Sequence, residues 1–151
     1  MDATKPTDQE LISSIPAYVR EARAAINALS SGSGVGVTAL NITAGAVGLT
    51  VGTDLGLYGF ELVLVTANGA VSIATIVGGT EGQVKIFIFL DNNVTIEDGA
   101  AVTGHIYLNQ LPALSTYNPQ TNDVLALANI DGDGATVQGY WKEIFRSIAL
   151  K

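Results

Sequence analysis

Cysteine is absent from the 151 residues, and histidine occurs once. The first absence excludes disulfides, zinc–thiolate sites, iron–sulfur clusters and thiol nucleophiles. The second excludes a multi-histidine metal centre. Charge is also scarce. Only 14% of residues carry it, 14 acidic against 7 basic, for a formal net charge of -7. So few cations do not suit a phosphate-rich partner, and no nucleic-acid interface is expected. What remains is apolar and glycine-rich: 48% hydrophobic residues, 17 glycines and a mean hydropathy of +0.36. A chain of this size has room for one domain with its own core.

Two stretches, 30–53 and 62–80, contain no charged side chain. Runs of that length raise the question of a transmembrane helix. Their composition argues against one. Gly32, Gly34, Gly36, Gly45, Gly48 and Gly52 fall in the first, and Asn68-Gly69 breaks the second. Glycine at this density disfavours helix, so both read as short strands and turns with no membrane insertion. Asp2, Asp8 and Glu10 stand where a signal peptide has its basic region. The expectation is therefore synthesis in the cytoplasm.

Helix is expected only at the start. Thr7-x-x-Glu10 has the form of a capping box, with Asp8 and Glu10 in the first turn. Ile12, Ile15, Val19, Ala22, Ile26 and Leu29 then recur at alternating spacings of three and four, a heptad seam. Pro16 is accommodated at the first position of a second helical piece over 16–29. Residues 1–31 thus read as a helical docking or oligomerisation segment, with those six apolar residues as its contact face. Residues 32–36 read as a Gly/Ser joint and 37–151 as a β domain.

Strands are expected over 37–43, 49–51, 58–66, 71–77, 83–90, 94–97, 105–109, 123–129 and 140–148. Turn signals divide them: Asn68-Gly69, Gly78-Gly79, Asp91-Asn92-Asn93, Asp98-Gly99 and Asp131-Gly132. The expected fold class is mainly β: a compact antiparallel β-sandwich or β-prism-like body, with an N-terminal α-helix. Two strands are apolar on both faces. Ile86, Ile88 and Leu90 share one side and Phe87 and Phe89 the other, and Leu62-Val63-Leu64-Val65 repeats the pattern. A half-solvated strand alternates apolar with polar, so these strands call for cover on both sides. Neighbouring copies are a natural cover, which predicts a homo-oligomer, with a trimer preferred.

Sites of chemistry are thin. Asn129-x-Asp131-x-Asp133-Gly134 matches the first half of a calcium loop, but the twelfth position is Tyr140 rather than glutamate. A polar turn is the expectation. Asn129, Asp131 and Asp133 would be the ligands if a calcium ion bound, and no other metal or cofactor is expected. His105 lies in a strand with no nucleophile elbow elsewhere. Carboxylates at turns, such as Glu97 with Asp98, read as turn residues rather than a glycosidase pair. No catalytic residue is expected. Tyr140, Trp141 and Phe145 form the one aromatic cluster. Strict alternation puts Trp141 and Phe145 on one strand face and Tyr140 on the other. Core packing is the favoured reading, and a sugar-stacking recognition surface is the alternative.

Several blocks in the second half carry a resemblance. The run Ile76-Val77-Gly78-Gly79-Thr80-Glu81-Gly82-Gln83-Val84-Lys85-Ile86 resembles a segment common in bacteriophage tail-fibre, tail-spike and head-fibre proteins. There a Gly-Gly-x-x-Gly-Gln turn leads into an apolar strand. Asn93-Val94-Thr95-Ile96-Glu97-Asp98-Gly99 is similar to the next strand and turn of that family. Gly104-His105-Ile106-Tyr107-Leu108-Asn109, Asn122-Asp123-Val124-Leu125-Ala126-Leu127 and Trp141-Lys142-Glu143-Ile144-Phe145-Arg146-Ser147 resemble its later strands in the same order. The family joins its last two strands by a tight Tyr-Asp-Gly turn. Here 129–139 is longer, which suggests a local purpose such as reaching a neighbouring subunit. The resemblance implies a non-enzymatic virion structural protein. It leaves open a capsid decoration or head-fibre protein bound to the major capsid protein, or a short tail fibre or adhesin bound to tail or portal components and meeting the host cell surface. A cellular carbohydrate-binding module is a third alternative.

Overall fold

The computed structural model describes residues 34–109 and 116–147. The expected helical segment, with Ile12, Ile15, Val19, Ala22, Ile26 and Leu29, lies outside the described residues. Eleven strands are described: β1 Val35–Ile42, β2 Gly48–Thr50, β3 Phe60–Ala67, β4 Val71–Ile73, β5 Thr75–Val77, β6 Val84–Phe89, β7 Val94–Glu97, β8 Ile106–Tyr107, β9 Thr116–Tyr117, β10 Val124–Ile130 and β11 Tyr140–Ser147. Val35 and Gly36, read as part of the joint, already belong to β1. The run 71–77, read as one strand, is two. Ala74 between them donates its N–H to Val47 O at 2.9 Å, and the chain there passes from one sheet to another.

Six strands form one sheet in the order β1-β3-β6-β10-β11-β8. Two small sheets, β2-β5 and β4-β7-β9, supply the other side of the core. The large sheet contributes Leu40, Val63, Val65, Phe87, Phe89, Leu125 and Leu127. The small sheets contribute Leu49, Ile76, Ile73, Val94 and Ile96. The molecule is thus mainly β, in several sheets.

The sheets are mixed rather than antiparallel throughout: β6–β10, β10–β11 and β7–β9 pair antiparallel, as expected from the sequence, and the other pairings do not. β1–β3, β3–β6, β2–β5, β4–β7 and β8–β11 all pair in parallel. The cause is the route of the chain. After β1 it runs through β2 before returning as β3, and after β3 it runs through β4 and β5 before returning as β6. Each return strand is spent in a small sheet, so β1, β3 and β6 point the same way, whereas β10 runs antiparallel to both β6 and β11. Asn68-Gly69 therefore does not close a hairpin. It links β3 to β4 across sheets, and Asn68 Oδ1 accepts from Ala44 N at 2.7 Å.

One ion pair fixes the centre of this arrangement. Glu61 on β3 and Lys85 on β6 are register partners. Both point into the core and both are fully buried, with Lys85 Nζ 2.8 Å from Glu61 Oε1. Lys85 also donates to the carbonyls of Gly56 (2.8 Å) and Tyr58 (3.1 Å). Glu61 Oε2 accepts from Gly56 N at 2.8 Å and from the Thr38 hydroxyl on β1. Two side chains thereby join β1, β3, β6 and the turn before β3.

Removing one partner leaves the other charge unpaired in a dry interior. Lys85→Met should lower stability to urea unfolding by about 3–5 kcal/mol, and Glu61→Leu/Lys85→Met should recover part of that loss. A cost for Lys85→Met as small as that of a surface substitution would show that the pair is not buried in solution.

Candidate interaction surface

The aromatic cluster predicted from the sequence is divided by the fold. Trp141 is fully buried, and its indole N–H donates to Ile76 O at 3.0 Å. Phe145 is 55% exposed. The two lie on opposite faces, contrary to the alternation expected from spacing. The reason is a β-bulge. Ala126 pairs with Phe145 and Leu127 with Glu143, so Ile144 has no partner on β10. The extra residue shifts the alternation by one and turns Phe145 outward. Tyr140 is half-buried and stacks obliquely on Tyr107 of β8, with ring centres 6.2 Å apart.

Two of the residues weighed as calcium ligands, Asn129 and Asp133, are engaged within the loop itself. Asn129 is buried. Its amide donates to Gln138 O at 3.2 Å and its Oδ1 accepts from Gly132 N at 2.9 Å. Asp133, at the surface, accepts from Ala135, Thr136 and Val137 N–H groups at 2.8 to 2.9 Å and from the Thr136 hydroxyl. These donors, led by the Ala135 and Val137 amides, pull its pKa down to about 2. Asp131 sits at a positive φ of 66°, turning the chain between Asn129 and Asp133. No cluster of three or more histidine or carboxylate groups is placed to hold a metal among the described residues.

The same loop folds onto its own chain. Gly132 O accepts from Glu81 N (2.8 Å), Gly79 O accepts from Gly134 N (3.0 Å), and Gln138 Oε1 accepts from Gly78 N. Gly79 is required there: a β-carbon would stand 2.5 Å from the Trp141 ring and 2.6 Å from Asn129 Nδ2. The described part of the long connection therefore braces the Gly78-Gly79 turn of its own subunit.

Other polar side chains inside the body are likewise engaged. Arg146 forms a two-bond pair with Glu143 (2.7 and 2.9 Å) and lies 3.8 Å above the Tyr117 ring. Burial, with Asp123 alongside, pushes the Tyr117 hydroxyl well above its usual pKa. Glu143 Oε2 also accepts from Asn109 N at 2.6 Å, holding the end of β8 on β11.

Among the described residues, no second sheet faces the outer side of the six-stranded sheet. The pairings align its side chains in rows. One row runs Val37, Leu62, Ile86, Ala126, Phe145. The row on one side runs Val35, Phe60, Val84, Ala128, Lys142, Tyr107, and that on the other Ala39, Leu64, Ile88, Val124, Ser147. Lys142 alone carries a charge in these rows. It stands at the β11–β8 margin, 4.0 Å above the Tyr107 ring. The cause is inversion on the central strands: Glu61 and Lys85, their charged residues, face inward. Leu62, Leu64, Ile86 and Ile88 are half-buried, while Val35, Val37, Phe60 and Phe145 are exposed. From β1 to β11 the face is about 19 Å wide and 20 Å tall at ordinary strand spacing and rise. Apolar faces of a few hundred Å² are often functional.

Compared with protein-family models, with curated proteins and with solved structures, the chain matches none. No helix among the described residues is long and apolar enough to cross a membrane.

Two measurements check this geometry. Trp141 should emit at short wavelength, resist quenching by acrylamide and show no response to added sugars. Emission like that of exposed indole would remove it from the core. The Asp133 carboxylate has a depressed pKa when folded, so its bracing is present above about pH 4, the unfolded value. Bracing should be lost as pH falls through about 2. Hydrogen exchange at Ala135–Val137 should accelerate in Asp133→Ala relative to the parent at pH 5, and the two proteins should converge at the acid limit.

Proposed function

We propose that the protein is a non-enzymatic bacteriophage virion structural protein that works by holding surfaces together. The observation that carries this reading is the outer face of the large sheet, uncharged except for Lys142 at its margin. A protein operating as an isolated monomer would place Glu61 and Lys85 on that side and leucine and isoleucine on the other. Here the chain buries its charges and presents its aliphatic residues, an order that suits a subunit covered by neighbours. The ordered resemblance of the second half to phage fibre proteins supports the same reading. In it, the β body is a homo-oligomer, a trimer, projecting from the virion. Residues 1–31 dock it on the major capsid protein, as in a decoration or head-fibre protein. Buried ionisable groups serve the fold: Glu61 with Lys85 and Glu143 with Arg146 are committed to bracing strands.

A second reading, a short tail fibre or host-adhesion protein, is favoured by one feature. Tyr107, Tyr140 and Lys142 gather at the β8–β11 margin, a mixed aromatic and cationic edge suited to polar surface groups on a cell.

Light scattering coupled to size exclusion should give a mass of three chains for the full-length protein. It should also bind purified capsids at lattice stoichiometry and raise their resistance to heat. Leu62→Asp/Ile86→Asp, on the outer face, should reduce the mass to one chain while the β circular dichroism persists. A stable parent monomer that binds neither capsids nor host cells would overturn the proposal. Binding to host cells without binding to capsids would favour the tail reading.

A further inference from the structure

We infer that Asn68-Gly69 modifies itself: in the folded protein the pair closes to a succinimide and opens to an aspartyl or isoaspartyl residue, assisted by the Ala44 N–H. Asn68 is the one asparagine of the chain that is followed by glycine. Succinimide closure requires the nitrogen of the following residue to attack the side-chain amide carbon. A follower without a β-carbon leaves that approach open. Asn68 is exposed, in the link from β3 to β4, so the water that completes the reaction has access.

The surroundings hold the electrophile and leave the nucleophile free. Ala67 donates its N–H to Asp91 Oδ2 at 2.9 Å, and its carbonyl accepts from Asn93 Nδ2 at 3.0 Å. Asn68 N donates to Ile42 O at 3.1 Å, and Asn68 Oδ1 accepts from Ala44 N at 2.7 Å. Gly69 N, by contrast, donates to no group among the described residues. The Ala44 N–H is bonded to the oxygen on which negative charge gathers as Gly69 N attacks Asn68 Cγ. A donor fixed at that place lowers the barrier, as an oxyanion hole does.

Competing sites lack these features. Three aspartates precede glycine, Asp98, Asp131 and Asp133, and the N–H of each following glycine is taken. Gly99 N donates to Ile106 O at 2.9 Å, Gly132 N to Asn129 Oδ1 at 2.9 Å and Gly134 N to Gly79 O at 3.0 Å. After Asn92, Asn93 N donates to Asp91 Oδ1 at 3.0 Å, and after Asn122, Asp123 N donates to Gln120 O at 3.0 Å. Asn118 precedes a proline, which has no N–H. Asn41, Asn93 and Asn129 precede β-branched strand residues.

Water is the one co-reactant. Gly69 N gives its proton to hydroxide as its bond to Asn68 Cγ forms. The Cγ–Nδ2 bond then breaks, and the nitrogen takes a proton from water and leaves as ammonia. A second water opens the ring. Opening at the side-chain carbonyl gives an aspartyl residue, and opening at the backbone carbonyl gives an isoaspartyl residue, with one extra methylene in the main chain. Either product sets a negative charge beside the end of β1, in the stretch 62–80 that otherwise carries none.

For the test, full-length protein is held in mildly alkaline buffer, folded or in guanidinium chloride, and then cleaved after glutamate. Glu61 and Glu81 bound a peptide, 62–81, that contains Asn68. The mass gain of an amide turned to an acid should appear in this peptide before any other from the described residues. Chromatography should resolve it into aspartyl and isoaspartyl forms. The folded chain should react at least as fast as the unfolded one. At the three Asp-Gly pairs the order should reverse, with isomerisation slower in the folded chain. Ala44→Pro, which removes the donor, should slow the folded reaction by about two- to tenfold, the worth of one exposed hydrogen bond, while the β circular dichroism persists. Slower loss of the Asn68 amide from the folded chain than from the unfolded one would overturn the inference, and that comparison needs no variant. Earlier loss at another described asparagine, or an unchanged rate in folded Ala44→Pro, would overturn it as well.

Discussion

The buried Glu61–Lys85 pair is the constraint on which the rest of the structure depends. It sets the register of β3 against β6 and reaches β1 through the Thr38 hydroxyl. It also ties down Gly56 and Tyr58 before β3 begins. Register in a sheet is all-or-none with respect to face, because a slip of one residue exchanges inside for outside. With the two charges committed to the interior, Leu62, Leu64, Ile86 and Ile88 have nowhere to go but outward. The same decision that pins the centre of the sheet thus creates the apolar exterior. A buried ion pair contributes little net stability over an apolar substitute, but its geometric demands make alternative pairings costly.

Much of the strand content was legible in the residues. Runs around 84–89 and 124–130 are short, branched or aromatic and bounded by turn signals, and they are strands. The opposition of Phe87 and Phe89 to Ile86 and Ile88 was also readable, since it needs only a period of two. Direction was not. Asn68-Gly69 is the dipeptide of a tight hairpin, yet it hands the chain to a different sheet. Nothing local distinguishes a turn between adjacent strands from a turn between layers. β9 was missed because two residues, Thr116 and Tyr117, give no pattern to count.

The surface was half legible for a related reason. Two-sided apolarity pointed to cover on both faces, and the outer face carries it. Which aromatic residue lies on that face was misread, because one unpaired residue at Ile144 changes the phase of β11. A bulge has no reliable sequence mark. The buried role of Asn129 was equally hidden, since an amide that closes a loop and an amide that ligates an ion look alike in sequence. The long connection over 129–139 also folds back on Gly78–Gly82, a brace that nothing local in the sequence announces.

The route of the chain also has a consequence in time. Because β1, β3 and β6 are separated by passages through the small sheets, none of them can pair with its immediate successor. The large sheet must be assembled from contacts distant in sequence, which is slow compared with zipping hairpins. β10 and β11 are the one pair in that sheet adjacent in both sequence and space, and they are made after its other strands during synthesis. Until they arrive, β6 is an unprotected apolar edge and the place of Trp141 in the core is empty. A nascent chain of this protein therefore spends its longest interval with its stickiest strand uncovered, so copies growing close together risk meeting before each has finished folding.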